Sequence, residues 1–306
     1  MSYHVVTIDS ATCSLTCKDK QFVCTTPEGK RSVPLEDVGA IVVTSFSASI
    51  HSSLLIEAAK MGVGFVLCES FKPTALLLPA NRCTDTLLTR SQVRLSATAR
   101  ERLWRRTINA KCANQYSLAA AVAPNDRRLE ILQSKANGKH PDKEADTARL
   151  YWAVFSQAIS GRVDFKRERG GSGLNVLLNY GYAILLSTML QKLFAVGIDP
   201  TFGVGHVTRA HSTPLAYDLM EPLRPLVDAR ISEYLWQEGF SESFEIDAEF
   251  RGWIAGFLLQ QITYDGKSIT VQSAIEKVVR TFRQAITENK TTLYQPWTQR
   301  NSKWDG

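Results

Sequence analysis

Apolar residues change their rhythm once along this chain, and that change limits the folds open to it. From His4 to about Pro79 they come in short β-branched and aromatic runs, HVVTI, CSLTC, FVCTT, AIVVTS and VGFVLCE, separated by turn pairs such as Glu28-Gly29, which is the texture of strands. One helical interval interrupts them at Ser52 to Met61, where Leu54, Leu55, Ala58 and Ala59 form a stripe that Gly62 ends. Past Pro79 to Cys83 the patterns lengthen to helical spacing and stay so nearly to the end. The expected fold is α+β: a small β-rich domain over residues 1–83, then a larger all-α domain over 84–306. A chain of 306 residues gives each part room for a core.

Leu174 to Val196 is the one long apolar stretch, and Asn175, Asn179, Gln191 and Lys192 interrupt it. It reads as a buried core helix, not a membrane span. The six cysteines, Cys13, Cys17, Cys24, Cys68, Cys83 and Cys112, make no Cys-x-x-Cys pair. Free thiols in a reducing cytoplasm are expected, and the start of the chain lacks the basic and apolar pattern of a signal peptide. Lys and Arg number 36 against 30 Asp and Glu, a balance that favours a polyanionic partner.

Chemistry-bearing groups concentrate in Phe202 to Pro225, FGVGHVTRAHSTPLAYDLMEPLRP. His206 leaves a glycine-flanked loop, and Asp218 and Glu221, three apart, share one face of a helix that Ser212 or Thr213 can cap and Pro214 can begin. Pro222 and Pro225 fall inside that helix and predict a kink at the carboxylates. A third acid arrives from elsewhere. Counting four, seven, eleven and fourteen residues on from Glu144 gives Ala148, Tyr151, Phe155 and Ala158, so Glu144 opens the inward face of its helix. A first-turn Glu also suits the helix dipole in solvent. Oxygen donors with one imidazole and no thiolate suit Mg²⁺ or Mn²⁺. No HExxH, GxSxG or His-Asp motif competes with this set, and Gly266-Lys267-Ser268 is no phosphate loop because Gln261 stands where its first glycine belongs.

Two basic segments flank these residues. Ser91 to Ala121 reads as a helix carrying Arg94, Arg100, Arg102, Arg105, Arg106 and Lys111 against Glu101 alone. On a single helix Arg94, Arg102, Arg105 and Arg106 share a sector about 120° wide, either a solvated face or a phosphate-contacting one. The loop GRVDFKRERGGSG, Gly161 to Gly173, adds Arg162, Lys166, Arg167 and Arg169. It is a linker or a mobile wrap for a nucleic-acid backbone. Arg149, on the Glu144 helix, is a further candidate DNA contact. Asn175, Asn179 and Tyr182 make a polar stripe expected to face a polar site, with Asn175 in support. The tail after Asn289 reads as partly disordered. These residues point to a divalent-metal enzyme acting on nucleic-acid phosphodiesters.

PLEDVGAIVV at 34–43, KCANQ at 111–115, EADTARLYW at 144–152, LNVLLNYGYAILLS at 174–187 and AYDLMEPLRP at 216–225 occur in this order. Together they resemble the CRISPR-associated integrase family, the first of the two near-universal proteins of CRISPR adaptation. The resemblance implies an N-terminal β domain that dimerises and contacts DNA, and a helical catalytic domain. It implies that Glu144, His206 and Glu221 are catalytic metal ligands with Asp218 supporting them. It also implies spacer insertion by attack of a DNA 3′-hydroxyl on a repeat phosphodiester. The implied partners are double-stranded DNA, a second copy of the chain and the second adaptation protein between two dimers. A metal nuclease for branched DNA and a catalytically silent DNA-binding scaffold are the alternatives.

Overall fold

A computed structural model describes residues 4–8, 10, 12–43, 45, 47–69, 72–77, 86–161, 165–168, 172–206, 213–241, 243–244 and 246–299. The first part is β-rich. Strands β1 (His4–Ile8), β2 (Cys13–Lys18), β3 (Gln21–Thr26), β4 (Gly29–Pro34), β5 (Val38–Val43) and β6 (Ala48–Ile50) precede helix α1 (Ser52–Lys60), which β7 (Gly64–Glu69) and β8 (Lys72–Leu77) follow. They form two four-stranded sheets, β1-β5-β7-β8 and β4-β3-β2-β6. Asp19 and Lys20, both at positive φ, make the tight turn of the β2–β3 hairpin. Alternation puts Cys13 and Leu15 inward and Ser14 outward, and Leu15, Phe22, Leu35, Ile41, Leu54 and Phe65 share one core. Helix α1 occupies the interval expected, and Gly62 past its end has φ +76°. Among the described residues Cys13, Cys17, Cys24, Cys68 and Cys112 form no disulfide; Cys83 lies outside the described residues.

The remainder is mostly helical. Helices α2 (Thr86–Val93), α3 (Ala97–Val122), α4 (Leu129–Asn137), α5 (Lys143–Ser160), α6 (Leu174–Ala195), α7 (Pro214–Met220), α8 (Arg224–Glu238) and α9 (Ala248–Ala255) come first. Strands β9 (Gln261–Tyr264) and β10 (Lys267–Thr270) and helix α10 (Val271–Thr287) complete it. The chain divides into two compact units, Met1–Arg90 with Leu190–Asp199, and Ser91–Met189 with Pro200–Gly306. The domain boundary expected at 79–83 lies outside the described residues. None of the described helices is long and apolar enough to cross a membrane.

Three expectations need correction. The basic segment from Ser91 is not one helix: α2 stops at Val93, and Ser96 caps α3 by accepting the Ala99 N–H at 3.2 Å. Arg94 therefore does not share a helical face with Arg102 and Arg105. The helices expected over 247–262 and 268–288 are shorter, Ala248–Ala255 and Val271–Thr287, and a hairpin of β9 and β10 takes their facing ends. The Asp265-Gly266 pair supplies the two positive φ values, 50° and 72°, that a two-residue turn between QITY and KSIT requires. Finally, the chain from Asn289 to Gln299 is packed, with Tyr294 and Trp297 buried. Residues 300–306 lie outside the described residues.

The kink at the carboxylates takes the form of a single 3-10 turn, Glu221–Leu223, between α7 and α8. Pro214 occupies the first turn of α7, and Pro222 and Pro225 the first turns of the two segments that follow, where a missing N–H costs nothing. Thr213 stands at the N-cap without a capping hydrogen bond; Ser212 lies outside the described residues. Asn114, wholly buried on α3, donates to the released Pro222 carbonyl at 2.6 Å and the Trp297 carbonyl at 3.0 Å, and accepts the Gln299 N–H at 2.9 Å.

Candidate functional site

Helices α3, α5 and the 3-10 turn each contribute one charged group to a common point in the second unit. Lys111 projects its ammonium from α3, 2.7 Å from Glu144 Oε1 in the first turn of α5 and 2.7 Å from Glu221 Oε2. The Lys111 side chain is 12% exposed and that of Glu221 6%, so this charge cluster is largely out of water. On the other side of Glu221, Arg224 Nε lies 2.9 Å from Oε1. Burial would raise the Glu221 carboxyl, but the Arg224 guanidinium and Lys111 ammonium outweigh it and hold it at about 2.

His206 lies in the glycine-flanked loop, which Asp218 organises, near enough for its imidazole to feel the charges of Glu221 and Glu144. The Asp218 carboxylate is fully buried and accepts the N–H groups of Val204 at 2.6 Å, Gly205 at 3.0 Å and His206 at 2.9 Å. It also lies 2.7 Å from His206 Nδ1. That bond raises the imidazole above its usual range against the opposing effect of burial, with Asp218, Glu221 and Glu144 adding their charges. With Nδ1 so engaged, Nε2 is the nitrogen left to serve a ligand. The loop's glycines are steric requirements here. A Cβ on Gly205 would stand 2.2 Å from the Trp104 indole, which meets the His206 ring edge-on at 5.5 Å, and a Cβ on Gly203 2.8 Å from Pro214. Replacing Asp218 with Asn puts an NH₂ group against N–H donors and loosens the imidazole. We expect Asp218→Asn to weaken Mn²⁺ binding by about 10- to 100-fold, read by EPR of free Mn²⁺, and unaltered affinity would show that His206 needs no such anchor.

The residues fit a hard divalent cation by type and by behaviour. Two carboxylates already converge on one cation, the Lys111 ammonium, and Glu221 Oε2 makes no well-directed hydrogen bond there despite the 2.7 Å approach. Among the described residues no three His, Cys, Asp or Glu groups stand close enough to hold a metal as they are; Glu144 and Glu221 each lie against Lys111 instead.

A second polar cluster supports this one. Asp228 on α8 is buried and accepts from the hydroxyls of Tyr151 at 2.6 Å and Tyr182 at 2.5 Å. The guanidiniums of Arg224 and Arg167 lie 4.6 and 5.1 Å from the Tyr182 ring centre. Burial pushes the Asp228 carboxyl up to about 6, against the pull of both tyrosines and both arginines. A raised carboxyl means that the unfolded chain gives up this proton first, so its contribution to stability is present below about pH 4 and is lost as pH rises through 6. Asp228→Asn should therefore flatten the pH dependence of unfolding free energy between pH 4 and 7 by on the order of 1–3 kcal/mol. Denaturant titrations at the two pH values measure it; equal slopes in both proteins would contradict the assignment.

Several expected DNA contacts are engaged elsewhere. Arg106 is a correction: its Nε donates to the Tyr294 carbonyl at 2.7 Å and Nη2 to that of Thr292 at 3.4 Å, so it clips the C-terminal segment to α3. Arg167 is another, since its guanidinium donates to Asn175 Oδ1 at 2.9 Å, Asn179 Oδ1 at 2.7 Å and the Glu168 carbonyl at 2.6 Å. Asn175 braces the same loop, donating to the Lys166 carbonyl and accepting the Glu168 N–H, both at 3.0 Å. Arg94 and Arg102 are exposed. Arg105 pairs with Glu101 at 2.5 Å, Arg149 with Asp146 at 3.4 Å and Lys166 with Glu168 at 2.9 Å, all at exposed positions where such pairs open readily. Arg162, Arg169, Gly170 and Gly171 lie outside the described residues.

Sequence reasoning missed Lys111, Asn114, Arg224 and Asp228. The signal available for the first two was KCANQ itself, which puts Lys111 and Asn114 on one face of a helix.

Comparison with known proteins agrees with this fold. The family model described as CRISPR associated protein Cas1 matches residues 6–262. A CRISPR-associated endonuclease Cas1 from Neisseria meningitidis serogroup C (strain 8013) is 28% identical over 263 residues, covering 84% of each chain. Among solved structures, a casposase bound to integration product superposes with a TM-score of 0.64 at 20% identity, over 97% of this chain and 99% of the other. A chain of a partial Cas6-RT-Cas1–Cas2 complex gives 0.72 at 15% identity, over 99% and 100%. At those identities the structures speak for the fold.

Proposed function

The chain belongs to the CRISPR-associated Cas1 family, and on that premise we propose that it is a metal-dependent DNA integrase and endonuclease that inserts short DNA segments into a CRISPR array. The observation that carries this is the convergence of Glu144 and Glu221 on one cation position beside His206. Glu144, Glu221 and His206 would hold Mg²⁺ or Mn²⁺, which supplies Lewis-acid polarisation of the scissile phosphodiester. Asp218 keeps the imidazole in one tautomer and direction by anchoring Nδ1. The 3-10 turn aims Glu221, and the Arg224 guanidinium sets a positive charge against its second oxygen. The attacking 3′-hydroxyl is placed by duplex binding, so in-line geometry comes from DNA contacts. Arg94, Arg102, Arg105, Arg149 and Lys166 are the proposed sequence-independent phosphate contacts.

Double-stranded DNA, both incoming and repeat-bearing, is the substrate in this reading. The casposase relative was caught with its integration product and another with Cas2, which supports DNA and a second adaptation protein as partners; two homodimers joined through the β-rich part complete the proposed assembly. Work in the cytoplasm follows from that partnership. The relatives' name, endonuclease, favours one second reading, in which water replaces the 3′-hydroxyl and branched DNA is cut without joining. A supercoiled plasmid bearing a repeat, mixed with short 3′-hydroxyl duplexes and Mn²⁺, separates the two. Joined product that disappears with EDTA and with 3′-dideoxy ends is expected; nicking alone would favour hydrolysis, and joining that survives EDTA would contradict metal use.

A further inference from the structure

Charge around the acidic pair is already balanced before any divalent cation arrives. Glu144 and Glu221 carry two negative charges; Lys111 and Arg224 lie within 2.7 to 2.9 Å of them and carry two positive ones. A dication added to that set leaves a surplus of two positive charges beside the largely buried Lys111 and Glu221 side chains, and the Lys111 ammonium loses both carboxylates at once. A buried ammonium without a counter-charge is costly. Its reach is limited as well, because α3 is fixed one turn further on by the three hydrogen bonds of Asn114. The stem can swing about its own Cα but cannot carry the charge far.

We propose that Lys111 is a resident counter-ion that competes with the divalent cation for Glu144 and Glu221, and that passes to a phosphate of the bound DNA when that cation takes its place. This rests on the metal-dependent reading above and adds a role for one side chain within it. In the DNA-free protein the ammonium keeps the two acids together and opposes the cation. When duplex DNA is bound, its phosphates supply the negative charge that the displaced ammonium needs. Metal and DNA therefore strengthen each other's binding, and linkage requires the effect to be equal in both directions. Lys111 is a positioning residue that favours metal loading in the DNA-bound state.

Free Mn²⁺ measured by EPR tests this, with each protein alone and with a saturating 3′-dideoxy duplex that cannot react. In the wild type the duplex should tighten Mn²⁺ binding by about tenfold or more. Lys111→Met should bind Mn²⁺ about tenfold more tightly without DNA, and the effect of the duplex should shrink to about two- to threefold, the part owed to direct phosphate contact. Lys111→Arg keeps the charge and should keep the wild-type pattern. Melting curves supply a second reading, since Mn²⁺ should raise the melting temperature of Lys111→Met by more than that of the wild type. If Lys111→Met does not fold, Lys111→Gln carries the same comparison. Wild-type binding that neither substitution tightens, with the effect of the duplex unaltered, overturns this inference and leaves the metal reading intact. Failure of the wild type to bind Mn²⁺ with or without DNA overturns both.

Discussion

Glu221→Ala should reduce metal-dependent joining on the order of a thousandfold, near the loss that follows removal of a group on which transition-state charge depends. Glu221 is the most deeply held of the proposed ligands, and its deletion also leaves Lys111 and Arg224 facing each other without an acid between them. Breaking a buried pair from one side costs roughly 3–5 kcal/mol, so activity and stability fall together in this variant. Two further substitutions separate the effects. Glu221→Gln keeps the volume and one carbonyl oxygen for Arg224, and should lose joining with a smaller loss of stability. Glu144→Ala should also lose joining on the order of a thousandfold, with little change in melting because its side chain is 39% exposed. Strand-joining rates beside melting curves measure both. Joining by Glu144→Ala within about twofold of the wild type would instead favour the silent-scaffold reading.

Asn114→Ala should lower folding stability by about 3–5 kcal/mol, although Asn114 has no charge and is not a proposed ligand. Its side chain closes three backbone groups that have moved out of regular structure: the carbonyls of Pro222 and Trp297 and the N–H of Gln299. Truncation leaves each buried and unpaired at about 1–3 kcal/mol apiece, partly relieved where water enters. The melting temperature should drop by about 10 °C in a body of this size. Because Pro222 follows Glu221 directly, metal affinity should weaken as well. Asn114→Asp tests the sign, since it sets carboxylate oxygens against two carbonyls and should be at least as destabilising. A shift below about 2 °C would show that water replaces these bonds without cost.

The local part of this site was legible because its physics is local. Proline geometry alone foretold the break at Glu221, and helical periodicity alone turned Glu144 inward. What could not be read were partners remote in the chain. Lys111 looks like any lysine on a basic helix until acids 33 and 110 residues away meet it, and Arg106 like a phosphate contact until a carbonyl 188 residues on accepts its proton. Arg167 belongs to a glycine-rich loop that looks free in the sequence, whereas Asn175 and Asn179 hold it. The Asp265-Gly266 hairpin was different: its turn pair was in plain view, and long amphipathic patterns on either side masked two four-residue strands.

Anomalous scattering from crystals soaked in Mn²⁺ tests the central claim most directly. One peak within about 2.0–2.3 Å of carboxylate oxygens of both Glu144 and Glu221 and of the His206 ring nitrogen remote from Asp218 is the predicted result. A DNA-bound crystal should show it at lower Mn²⁺ than a DNA-free one. A peak that omits Glu144 or Glu221, or no peak in the DNA-bound crystal, would contradict the account.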